Sequence, residues 1–189
     1  MGAAFVSFFE ELPPPPEPGP RPPQPPWMGP PRNEVGVAAG IRLGKVHEDR
    51  IAISVVDVVA YTSGFEVDVR ANLRETERRP ARPTQDSRGL RFGVLFSDGR
   101  KGTTGAHGAG AAGWAVTAGG QAPAGPLVLP RGGSGGDEGW RQTYWVWPLP
   151  PAGRLTLAVQ WLAAGVPEVL FEVDAEQIVS AAARSQPLW

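Results

Sequence analysis

The chain has no cysteine, and that one absence removes disulfides, thiol nucleophiles and thiolate metal sites together. Histidine is nearly absent as well. His47 stands beside Glu48 and Asp49, His107 sits in a glycine-rich stretch, and neither has the H-x-x-x-H spacing or the cysteine pair of a zinc site. No apolar run approaches the roughly 20 residues of a membrane helix, so membrane insertion is not expected. A basic excess is missing too: the formal net charge is −1 and the sequence pI 6.1. Counterion release from a nucleic-acid backbone needs a basic surface, so nucleic acid is not an expected partner. The opening "MGAAFVSFFEEL" lacks a basic region ahead of its short apolar stretch, and Val6 stands where a myristoylation signal wants Ser or Thr. No motif implies a cofactor or a metal. The reading is of a cytoplasmic protein stabilised by packing.

Proline is what the head of the chain has in excess. From Pro13 to Pro31 the run "PPPPEPGPRPPQPPWMGPP" fixes φ near −65° at most positions and withholds the amide donor, so it suits neither a helix interior nor a central strand. As polyproline II at about 3.1 Å per residue it would span about 55–60 Å. Ahead of it, Phe5, Phe8, Phe9 and Leu12 recur at helical spacing, with Ser7, Glu10 and Glu11 opposite. Two turns of helix are unstable alone, because nucleation is costly. The expectation is a disordered proline-rich arm, residues 1–32, whose amphipathic start docks on a partner protein. Trp27 offers an anchor for the strip on its own domain or on another's. A strip folded back on its own domain, and a true start at Met28, stay open.

Residues 33–189 alternate with period two. Phe65, Val67, Val69 and Ala71 share one face in "FEVDVRANL"; Leu90, Phe92, Val94 and Phe96 do so in "LRFGVLF". Leu155, Leu157, Val159 and Trp161 follow, then Val169, Phe171 and Val173. With "IAISVVDVV", "WAVT" and "WRQTYWVW", seven or so strands emerge. Ser63-Gly64, Asp98-Gly99 and Pro151-Ala152-Gly153 supply the turns. The predicted fold is mainly β: an antiparallel two-sheet sandwich of immunoglobulin-like type, with a partly closed barrel as alternative. One short C-terminal helix is expected over 174–184, capped by Asp174, with Ile178, Ala181 and Ala182 inward and Leu188 and Trp189 packed beyond it. Three long connections remain, 75–89, 99–112 and 118–139; in the last, "RGGSGGDEG" has the composition of a flexible linker.

Chemistry is thinly signalled. Gly132-Gly133-Ser134-Gly135-Gly136 matches G-x-S-x-G, but neither flank has the strand and helix of a nucleophile elbow. In "GRKGTTGAHGAG" Lys101 precedes a glycine, whereas a P-loop lysine precedes Ser or Thr. Asp98, His107 and Ser134 are the residues a loop-borne hydrolase would use. Trp145 and Trp147 share a strand face and would form a sugar platform if exposed; on the inner face they are core. Arg78 and Arg79, with Arg100 and Lys101, are the basic loop residues for an acidic protein surface.

At "LRFGVLFSDGRK" and "YWVWPLPPAGRLTLAVQW" the chain resembles hypothetical proteins encoded by actinobacteria, loosely from about Pro26 to Trp189. The resemblance implies no activity and carries no catalytic residues across. The leading expectation is a non-enzymatic protein-interaction or structural module tethered by its arm. A hydrolase and a carbohydrate-binding module are the alternatives.

Overall fold

The computed structural model describes residues 24–47, 50–74, 90–105, 125–136 and 139–189. Phe5, Phe8, Phe9, Leu12, Arg78, Arg79, His107 and the "WAVT" stretch lie outside these residues. The alternating segments form the long strands β4 (Ile51–Ala60), β5 (Phe65–Leu73), β6 (Arg91–Leu95), β9 (Gly139–Trp147), β10 (Arg154–Trp161) and β11 (Val166–Asp174). Shorter strands complete the set: β1 (Glu34–Val35), β2 (Val37–Ala38), β3 (Leu43–His47), β7 (Lys101–Thr103) and β12 (Gln186–Pro187). A further long strand, β8 (Leu127–Gly136), runs through the glycine stretch.

Two main antiparallel sheets result, neither closed into a barrel. One has the order β2-β4-β5-β9-β8, with β3 also pairing β4; the other has the order β11-β10-β6-β7. Strands β1 and β12 pair separately. Two of the expected turns make hairpins, whereas Pro151-Ala152-Gly153 carries the chain from β9 of one sheet to β10 of the other; Tyr61 N–H donates to the Gly64 carbonyl at 2.9 Å between β4 and β5. Gly99 takes the left-handed φ of +85° between β6 and β7, which a side chain would oppose.

Both sheets send large side chains into one buried cluster. Ile53, Val55, Phe65, Val67, Val69 and Val146 come from the first, and Phe92, Val94, Leu155, Leu157, Val159 and Phe171 from the second. Burying each such side chain contributes roughly 1.5–3 kcal/mol. Across the gap the Phe92 and Tyr144 rings stack at 4.6 Å with planes 14° apart. In β4 the alternation slips once, at a bulge between Val55 and Asp57, so Val58 and Ala60 turn inward and Asp57 is set opposite Asp68.

The helix, α1 (Ala175–Ala182), begins where the capping residue requires: the Asp174 carboxylate accepts from Glu176 N–H at 3.0 Å. Ile178, Ala181 and Ala182 are buried, as their spacing predicts. Leu188 and Trp189 correct the expectation of packing beyond it, being 50% and 87% exposed. Pairing of β12 with β1, and the Leu188 N–H bond to Asn33 O, carry the chain past the core instead.

The flexible-linker reading of "RGGSGG" is also corrected, since Gly132–Gly136 pairs residue by residue with β9. Composition describes what a chain does when nothing pairs with it, and here β9 pairs with it. A side chain would moreover be out of place: a Cβ on Gly135 would lie 1.9 Å from the Trp140 ring. The two sheets come close at β7 and the entry to β8, where a Cβ on Gly102 would lie 2.2 Å from the Pro126 carbonyl oxygen. Backbone cannot swing aside as a side-chain end can, so Gly102→Ala is expected to cost about 1–3 kcal/mol in urea unfolding. An unchanged midpoint would mean the sheets are further apart at this edge. On the opposite side Lys45 Nζ donates to Leu170 O and lies 5.5 Å from the Phe171 ring centroid, linking β3 to β11. No helix among the described residues is long and apolar enough to cross a membrane.

Candidate functional site

Inward phases are occupied by core, so any site on the sheets must use the outward phases. On the six-stranded sheet these include Asp57 and Val59 of β4, Glu66, Asp68, Arg70 and Asn72 of β5, and Arg141, Thr143, Trp145 and Trp147 of β9. Trp145 faces outward from this sheet yet is 0% exposed, and therefore offers no face to a sugar ring. Tyr61 meets it edge-on at 5.9 Å, and Gly64 leaves room for the indole: a Cβ there would lie 2.7 Å from it. Trp147 is half-buried, with the Trp27 ring edge-on at 6.0 Å.

Trp27 is itself buried, in a 3-10 turn over Pro26–Met28 whose Met28 carbonyl accepts from Arg131 Nη1 at 3.2 Å. The tryptophan at the end of the proline run thus anchors on its own domain. Among the described residues the indole N–H groups of Trp27 and Trp145 and the Ser63 hydroxyl have no hydrogen-bond partner. Packing, with no hydrogen bond to the ring nitrogen among the described residues, holds these indoles.

Asp68, 7% exposed, accepts from Arg141 Nε at 2.9 Å and from Arg141 Nη2. Beside Trp145, the Tyr61 hydroxyl donates to Glu66 Oε2 at 3.3 Å. Burial first, and then the Glu66 charge, push the Tyr61 pKa up to about 12. Burial likewise raises the Glu66 carboxyl above its ordinary range, against the opposing pull of the Tyr61 hydroxyl and Arg131.

A carboxyl raised in the folded state binds its proton more tightly there than in the unfolded chain. Stability is therefore lost as pH rises through the unfolded and then the folded pKa. Glu66→Gln removes the charge but keeps an acceptor for Tyr61. It is expected to be more stable than the wild type at pH 7, with the gain vanishing by about pH 3, where the wild-type carboxyl is protonated. Urea midpoints at the two pH values measure this. A difference independent of pH would show that the Glu66 charge is not what burial opposes.

The four-stranded sheet turns a different surface outward. One cross-strand row reads Leu170, Ala158, Gly93, Thr103, and the next Glu172, Thr156, Leu95, Lys101. Leu95 and Leu170 stand out of it, 42% and 43% exposed, among small side chains. Arg154 Nη1 pairs with Glu172 Oε1 at 3.2 Å in the open. At the β6–β7 turn Arg100 Nε reaches Asp98 Oδ2 at 2.7 Å while its guanidinium lies 5.3 Å from the Phe96 ring centroid. The Arg100 backbone N–H and then its side chain hold the Asp98 carboxyl below its usual range. Lys101 lies next to this turn, exposed on the edge strand β7.

Of the residues a hydrolase would use, the two described ones, Asp98 and Ser134, lie on different sheets. Asp98 is in that turn, Ser134 is within β8 of the other sheet opposite Arg141, and His107 lies outside the described residues. Ser134 is in extended strand with no helix leaving it, so the nucleophile-elbow geometry is missing. Sequence reasoning passed over Leu95, Leu170 and the Tyr61–Glu66 pair. A signal existed for the leucines: each is an apolar residue in the outward phase of its strand, between Val94 and Phe96 and between Val169 and Phe171. A scan against protein-family models finds no match to this chain, and comparisons with curated proteins and with solved structures find none.

Proposed function

We propose that the chain is a non-enzymatic protein-interaction module, an immunoglobulin-like sandwich that presents the outer face of its four-stranded sheet to a protein partner. The observation that carries this reading is the placement of Leu95 and Leu170 in the open on a flat field of Ala158, Gly93, Thr156 and Thr103. Outward apolar side chains on a sheet face are left exposed at a cost unless something covers them.

The strand order supports the immunoglobulin-like part. Counted from β4 to β11 as eight successive strands, one sheet runs first, second, sixth, fifth and the other eighth, seventh, third, fourth. That is the ABED and GFC arrangement with one strand added beside C. The proline-rich head then serves as a tether to a second binding element, the Phe5–Leu12 segment. The deciding experiment places a photo-crosslinking residue at position 95, at 170, or at Asn72 on the outer face of the other sheet, in cells. Protein crosslinks from 95 and 170 but not from 72 are expected. Equal labelling from all three sites, or none from 95 and 170, overturns the reading.

A further inference from the structure

The partner of this face can be named more closely, on the reading just given: we propose that it is a second copy of this chain, related by a two-fold axis parallel to the strands of the four-stranded sheet. The arrangement of charge selects both partner and axis. Glu172, on β11, and Lys101, on β7, stand at opposite edges of one cross-strand row, with Thr156 and Leu95 between them. A two-fold axis along the strands lays this row over itself reversed. Glu172 of each copy then lies over Lys101 of the other, and Leu95 over Thr156. In the neighbouring row Leu170 lies over Thr103, and Ala158 over Gly93. Each leucine meets a smaller side chain, and both charged edges find the opposite sign. The other face-to-face axis, across the strands, would put β11 over β11 and bring Glu172 towards Glu172, which like charge disfavours. An axis along the strands also keeps the two sheets near parallel, within the roughly 30° at which aligned sheets pack about 10 Å apart.

The face rather than the edge is the place for this contact. Strand β7 is three residues long and carries Lys101, and on β11 the Leu170 carbonyl is already taken by Lys45 Nζ. Short edges bearing lysine resist edge-to-edge pairing. Size sets the strength. Strands of nine, eight, five and three residues, at about 3.4 Å per residue and about 4.8 Å apart, make a patch of about 400 Å² per copy. A stable complex buries about 800 Å² per partner. The dimer is therefore a weak one that exchanges freely.

Sedimentation velocity on the full chain from about 10 µM to about 1 mM tests it. The wild type is expected to pass from monomer to dimer within that range. Lys101→Glu and Glu172→Lys should each weaken the dimer at least about tenfold. The double reversal should restore it to within about fivefold, the shortfall reflecting Arg154 beside position 172. Both positions of change are on the open face, and unchanged urea midpoints would confirm that the three variants are folded. A monomer at every concentration, a dimer indifferent to either reversal, or a double variant no better than the singles overturns the proposal. The crosslinks separate the two levels of inference: a monomer that still crosslinks other proteins from position 95 sinks the dimer and keeps the interaction module, whereas a monomer silent at 95 sinks both.

Discussion

Trp145→Ala is expected to lower the free energy of unfolding by about 3–5 kcal/mol, as much as truncating a large residue between the two sheets. The side chain belongs to the outward phase of β9, where substitutions on an open sheet face ordinarily change stability by about 0.5 kcal/mol or less. What raises the cost is its complete burial under Tyr61 and against the Gly64 backbone. Removing the indole leaves a cavity whose walls include a rigid turn, and such walls relax little. Trp145→Phe should cost less than half as much. It keeps most of the ring volume and deletes an N–H that has no acceptor among the described residues, so no hydrogen bond is lost with it. Urea unfolding followed by far-UV circular dichroism measures both. A Trp145→Ala cost under about 0.5 kcal/mol would mean that the ring is open to solvent, and would return the sugar platform to consideration.

Phe92→Ala carries an expected cost of similar size, about 3–5 kcal/mol, for a different reason. Phe92 comes from β6 of one sheet, and the ring it stacks on, Tyr144, comes from β9 of the other. The pair joins layers that share no backbone hydrogen bonds in their strand ladders. Tyr144 is further tied to the same side by its hydroxyl, which donates to Leu90 O at 3.3 Å. Burial raises the Tyr144 phenol well above its ordinary pKa, so it stays a neutral donor across the working range. A double-mutant cycle with Tyr144→Leu should return a coupling of about 0.5–1.5 kcal/mol, the part of the effect that belongs to ring on ring. Additive effects would indicate that the rings are independent and that area alone explains the cost.

Much of the fold was legible. Half-buried strands announce themselves because neighbouring side chains point to opposite faces, so β5, β6, β10 and β11 could be drawn from alternation alone. Asp174 marked the start of the helix for an equally local reason, its side chain capping an amide two residues on. Where reading failed, the missing information was long-range. Gly132–Gly136 has no side chains with which to declare a strand, and its conformation is set by the partner strand β9. Leu188 and Trp189 look like core residues by type, but the pairing of β12 with β1 leads the chain past the core and leaves them exposed.

The candidate surface was less legible than the fold, and Trp145 and Leu95 explain why. Both lie in strands with apolar side chains in both phases. Hydrophobicity alone does not say which outward residue is covered. Trp145 is covered because Tyr61 and Gly64, far away along the chain, fold against it. Leu95 is left open because its neighbours across the sheet, Thr156 and Lys101, are themselves exposed or half-exposed.

By itself the sequence determined which residues lie on the same side of β5, β6, β10 and β11, where the chain turns between them, and that an antiparallel β body follows a proline-rich head. These depend on neighbours within a few positions, where backbone sterics and alternation act. Only the tertiary structure decided the order of strands in the two sheets, which outward side chains are buried, and that Glu172 and Lys101 close opposite ends of one row. Those relations join residues separated by tens of positions, and register between strands, rather than any local preference, brings them together.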